Sequence, residues 1–290
     1  MKAAKIVARI VVASIAYITG TVVMGMLAPA LHLPALKALP GATPQQYFVM
    51  LVVCSPLLIV GLLPLASGLK GMWSQRLLAI GALLYVTLGL NTLIEAKIFS
   101  TILEGSPFLA SAQWLLPSAL TAAVLTYRFG EEKQNPVAES SASLLLGWRV
   151  FVAWLAFPVI YFLFGMCVAP IVVPYYNTAH DALGLQIPAF SVMIRTQLLR
   201  SAFFLAASLP AVLLWTKSRV KLFLALGLAH AMAIGIFQLA QASFMPPVLR
   251  VAHSAEITAD SFAYAAVLTL LFTRSKRTGP AVQSTAAAAD

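Results

Sequence analysis

The chain has 290 residues, 61% hydrophobic and 10% charged, with a formal net charge of +10 and a mean hydropathy of +0.91. A soluble chain carries roughly a quarter charged residues, so this one has too little polar surface to cover a water-soluble globule, and a single-domain soluble enzyme is excluded. Nucleic-acid binding is not indicated either, because Lys and Arg stand in short runs between apolar stretches, the pattern that retains loops on the cytoplasmic side against anionic lipid.

A membrane-spanning helix needs about 20 mostly apolar residues. The expected fold is therefore all-α, a polytopic bundle of about eight transmembrane helices. The spans are predicted at residues 8 to 30, 46 to 67, 76 to 98, 107 to 127, 148 to 170, 197 to 216, 221 to 244 and 256 to 273.

The first span follows Lys2, Lys5 and Arg9 and ends near Ala28-Pro29-Ala30, the form of a cleavable signal peptide. A repeat argues for its retention. At a shift of 140 residues, Arg9, Val12, Ala13, Ala16, Gly25 and Met26 coincide with Arg149, Val152, Ala153, Ala156, Gly165 and Met166. Pro64 and Pro210 also fall in step, and residues 76 to 99 match 221 to 244 in length and hydropathy.

Two four-helix halves are expected, residues 1 to 127 and 148 to 273, in parallel orientation. Residues 128 to 147, polar and interrupted by Pro136, read as a cytoplasmic linker, and 274 to 290 as a disordered tail. Both halves carry a long loop after their first helix, residues 31 to 45 and 171 to 196. With both termini cytoplasmic, fourteen Lys and Arg lie inside and five outside, namely Lys37, Lys97, Arg195, Arg200 and Arg250. A bacterial inner membrane is the expected location for so compact a chain.

Cys54 and Cys167 fall in apolar stretches and read as small buried hydrophobes. No GxSxG elbow, Walker lysine, HExxH or Cys/His metal spacing occurs, and no cofactor is implied. The pair Glu131-Glu132 reads as part of a solvated linker.

Ionisable residues inside spans are costly and point to function or to pairing. Thr87, Asn91 and Glu95 form one stripe on the third span, and His230, Gln238 and Gln241 another on the seventh. Arg200 lies below the outer boundary of the sixth span and needs a partner. Glu256 and Asp260 of the eighth span are the expected partners, with Glu95, Arg195, Arg250, His180 and Asp181 near them. The plain alternative is a set of structural ion pairs tying helix ends together.

Three functional readings follow. In the first, a transporter-like or solute-binding protein, Arg195, Arg200, Arg250 and Gln197 hold a small anionic solute, while Glu95, Glu256, Asp260 and His230 exchange protons or ions. In the second, a membrane-embedded hydrolase, His253, Glu256, Asp260 and His180 surround a metal or a water; the weakness is that only His253 and Glu256 offer ligand spacing. The third is a noncatalytic subunit or assembly factor whose charges meet a partner membrane protein. The lipid bilayer is a partner in all three.

Overall fold

Lipid offers backbone groups no hydrogen-bond partner, so a chain dissolved in it must close its hydrogen bonds within helices. In a computed structural model of the chain, residues 2–35, 43–127, 147–178 and 184–273 are described. Eight helices among them are long and apolar enough to cross a membrane: α1 Ala3–Leu27, α2 Pro44–Ala66, α3 Trp73–Phe99, α4 Pro107–Tyr127, α5 Gly147–Tyr176, α6 Phe190–Leu213, α7 Arg219–Gln241 and α8 Pro247–Phe272. The chain is an integral membrane protein. The expected linker, apart from Gly147, and the tail lie outside the described residues, as do Lys37, Glu131, Glu132, His180 and Asp181.

Three boundaries differ from expectation. Helix α6 starts at Phe190 rather than 197, and α8 at Pro247 rather than 256. Helix α5 runs through Pro170 and Pro174 to Tyr176, where a loop was expected from 171. Apolar run length underestimates such helices, because a turn that carries charge on one face can still pack its other face. Pro247 opens α8 at the first helical position, where its missing N–H costs nothing. Arg195 and Arg250 consequently lie within helices.

Proline inside a helix frees the carbonyl four residues earlier. For Pro158 of α5 that carbonyl is Trp154 O, and Ser201 Oγ of α6 donates to it at 2.5 Å. Trp154 Nε1 in turn donates to Leu198 O at 2.8 Å. These two bonds tie α5 to α6 and answer the polar group that lipid would leave bare.

Helix α1 packs on α4 and α2, and α5 on α8 and α6; α3 packs on α4 and α6, and α7 on α8 and α2. Within the most apolar window of each helix, 67% of α3 and 56% of α7 is buried against 22% of α1 and 17% of α5. Helices α3 and α7 are therefore central, while α1 and α5 show faces such as Val11, Ile15, Val159 and Leu163 to lipid. The core gathers Leu58, Ile59 and Leu62 of α2, Leu83 and Leu84 of α3, Phe204 of α6, Leu226 of α7 and Tyr264 of α8. Because lipid tails are as apolar as Leu, close packing rather than expulsion of water holds these surfaces together. Gly20 shows how close: a Cβ there would fall 2.5 Å from Pro117 Cα of α4.

Both central helices contain a π-helical segment, Tyr85–Leu90 in α3 and Ala231–Ile236 in α7, and the two segments touch. Gln238 joins them: Nε2 donates to Ala233 O at 3.0 Å and Thr87 O at 3.4 Å, and Oε1 accepts from Thr92 Oγ1 at 2.7 Å. Such a wide turn rotates everything beyond it about the helix axis. The expected stripe of His230, Gln238 and Gln241 is broken for this reason. His230 faces α6, Gln238 faces α3, and Gln241 donates to Phe237 O.

At one end of the bundle, here called the basic end, Leu69 and Trp215 form an antiparallel bridge, with Lys70 N donating to Leu214 O at 2.9 Å. Arg149 Nη1 bonds Leu271 O at 2.9 Å and Arg219 bonds Thr273 O, satisfying the last carbonyls of α8. At the opposite end, Ser100 bridges Leu185. There Thr101 N donates to Gly184 O at 2.8 Å, and Gln186 N to Phe99 O at 2.9 Å.

Candidate functional site

Arg200 lies ten residues past Phe190, about 15 Å down α6 from the end opposite the basic one. It is 3% exposed. A lone guanidinium at that depth would cost several kcal/mol. The fold surrounds it instead. Nε donates to Asn91 Oδ1 at 2.7 Å, Nη1 to Gln197 Oε1 at 2.9 Å, and Nη2 meets Glu95 Oε1 at 2.5 Å. The guanidinium carbon also stands 5.6 Å from the ring centroid of Phe157 and 5.5 Å from that of Tyr161, a cation–π contact on each.

Local sequence explains each contribution. Asn91 and Glu95 stand four apart on α3, Gln197 and Arg200 three apart on α6, and Phe157 and Tyr161 four apart on α5, so each pair shares a helix face. The ion pair therefore runs to Glu95, not to Glu256 or Asp260 as expected. Glu256 is engaged within its own helix, its Oε2 lying 2.9 Å from His253 Nδ1. Its Oε1 rests against Gly165 of α5, where a Cβ would come within 3.3 Å.

Asp260 follows one turn later. Its Oδ1 has no hydrogen-bond partner, and the charges of Glu256, Arg200 and Glu95 all act on it. Tyr161 and Tyr176 of α5 stand in the same field, both acted on by Glu95 and Glu256. Three carboxylates thus share one neighbourhood with a single buried guanidinium. Glu95, at 33% side-chain exposure, is where the cluster reaches the surface.

The structure brings together Arg200, Gln197, Glu95, Glu256, Asp260 and His253. Arg195, exposed on α6, and Arg250, half-buried on α8, form no hydrogen bond to the cluster among the described residues. His230 sits apart at the bundle centre, its Nε2 3.0 Å from Ser208 Oγ. Its ring packs edge-on to Phe204 at 6.2 Å and stacks with Tyr264 at 6.4 Å.

Sequence reasoning missed Phe157, Tyr161, Tyr176, Gly165, Ser208 and Tyr264. An aromatic or small residue in an apolar span reads as lipid-facing or core. The available signal was the four-residue spacing of Phe157 and Tyr161 on a helix that carries the proline freeing Trp154 O.

A narrow cleft of about 140 Å³ between α3 and α6 is lined by Val86, Leu90, Asn91, Ile94, Arg200, Phe203 and Phe204. A wider, open pocket of about 390 Å³ lies between α5 and α8 at the cluster's end, lined by Ile171, Pro174, Tyr175 and Val248. Among the described residues no three His, Cys, Asp or Glu side chains gather as a metal set, which leaves the hydrolase reading with the His253–Glu256 pair alone.

No protein-family model, curated protein or solved structure matches the chain. The chemistry of the cluster must speak for itself. With every nitrogen of Arg200 engaged, the guanidinium organises the site and is not free to grip a ligand. Surplus carboxylate in a poorly solvated place calls for a proton or another cation.

Proposed function

We propose that the chain is a transporter-like, solute-binding membrane protein whose charged cluster opens on the outer side and exchanges protons. The observation that carries this reading is the imbalance at Arg200: Glu95, Glu256 and Asp260 around one saturated guanidinium, with Asp260 Oδ1 unpartnered. Structural ion pairing alone needs one carboxylate per cation, so the excess supports a site that takes up and releases positive charge. Arg195 and Arg250 at the same end are the cations left to meet an anionic group of the solute. Arg250 Nε is buried without a partner, and so is Gln197 Nε2.

A parallel arrangement of two four-helix halves fits the same reading, because duplicated transporters bind at the interface of their repeats. Positions 146 residues apart meet repeatedly. Leu69 bridges Trp215, Thr92 bonds Gln238, and the π segments starting at Tyr85 and Ala231 touch. The cluster belongs mainly to the second half, as a site specialised in one copy would.

The test is a thermal-shift screen of the purified chain in lipid nanodiscs against small organic anions, cations and zwitterions, over a range of pH. At least one class stabilises the wild type in a pH-dependent way, and Asp260→Asn abolishes that dependence. A chain that answers no solute and co-purifies at fixed stoichiometry with a second membrane protein would sink this reading in favour of a structural subunit.

A further inference from the structure

Below the charged cluster, α6, α7 and α8 enclose polar groups that neither the Arg200 network nor the backbone uses. On α8, Asp260, Ser261 and Tyr264 succeed one another over one helical turn, and Asp260 Oδ1, Ser261 Oγ and Tyr264 Oη are all buried with no hydrogen-bond partner. Ser261 and Tyr264 are 3% and 1% exposed, and the Tyr264 hydroxyl stands beside Ser201 of α6. The same tyrosine stacks on His230 of α7, which bonds Ser208 of α6. More than nine in ten buried polar groups in proteins are hydrogen-bonded, so adjacent orphans on one seam mark a place built for bridging water.

We infer that this seam is a proton relay linking Asp260 to His230, which makes His230 the inner proton site of the cluster. The inference rests on the solute-binding reading above and names its coupling ion. In the net step the Asp260 carboxyl gives up one proton and the neutral His230 imidazole takes one. Bridging waters and the Tyr264 hydroxyl each pass a proton on and receive another, so they end unchanged. Tyr264 is the link because its ring reaches His230 while its hydroxyl faces Ser201.

Other titratable groups do not stand in for this path. On the elements packed against α7 they are Tyr47 and Cys54 of α2, Arg195 and Arg200 of α6, and Arg250, His253 and Glu256 of α8. None of these bonds the His230 ring. Cys54 is buried in the apolar core. Arg200 is held by Glu95, Asn91 and Gln197, and Glu256 by His253.

Deuterium exchange at the imidazole C2 position, followed by mass spectrometry on the full chain in nanodiscs, reads proton and water access to each histidine separately. His230 exchanges in the wild type and slows about tenfold in Tyr264→Phe, the effect of one lost hydrogen bond on a barrier. His253 at the cluster keeps its rate. Ser261→Ala provides the second variant should Tyr264→Phe fold poorly, and slows His230 in the same way. Equal His230 rates in wild type and variants overturn the relay, as does a wild-type His230 that never exchanges. The solute screen run on Tyr264→Phe separates the two claims. A solute response that persists while the relay fails removes this inference alone, and a relay without any solute response removes the reading it serves.

Discussion

Arg200 of α6 and Glu95 of α3 meet at 2.5 Å inside the bundle although 105 positions separate them in the chain. The contact joins the first half of the sequence to the second through one charge-assisted pair, and Asn91 on the same face of α3 adds a further bond to the guanidinium. Everything else in the cluster arranges itself around this anchor.

Arg200→Ala is expected to destabilise the protein by about 3 to 5 kcal/mol, because it leaves Glu95 facing a site built for a cation. Adding Glu95→Gln should recover part of that loss. Thermal melts of both singles and the double give the coupling, which should exceed that of the corresponding Arg200/Glu256 cycle. Additivity at the Glu95 cycle would refute the pairing.

Gln238→Leu removes the bonds that join the π segments of α3 and α7. Interhelical hydrogen bonds in membranes contribute from about 0.6 to 1.7 kcal/mol, so a fall of that order is expected. Thr92→Val should move in the same direction, and the double should cost less than the sum. Loss of stability in Gln238→Leu with full additivity would mean that packing, not the Thr92 bond, is what the side chain supplies.

Glycine tolerance separates contact from lipid along α1. A Cβ at Gly20 would strike backbone of Pro117, whereas nothing lies within 4 Å of one at Gly25. Gly20→Val should cost about 1 to 3 kcal/mol through overpacking, and Gly25→Val close to nothing. Equal effects would show that α1 does not seat on α4 at this depth.

Topology follows from the loop charges. A cytoplasmic reporter fused after Lys133 or after Arg277 should be active, and one fused after Lys37 inactive. Activity after Lys37 reverses the orientation and would place the Arg200 cluster at the inner face.

Eight spanning helices were legible in the sequence because apolar run length against bilayer thickness is a one-dimensional quantity. So were the depth of Arg200 and the shared face of Asn91 and Glu95, which follow from rise and turn along a single helix. What a helix face meets is a property of neighbours, and there only tertiary structure decides. Glu256 and Asp260 had the right depth and spacing for Arg200, yet α3 presents Glu95 to it while His253 engages Glu256 from within α8. The π segments escaped for the same reason, since a wide turn is stabilised by the helix packed against it and by Gln238 across the interface. Those turns rotate His230 toward Ser208 and Gln238 toward Thr92, sending side chains that read as one stripe to two different helices.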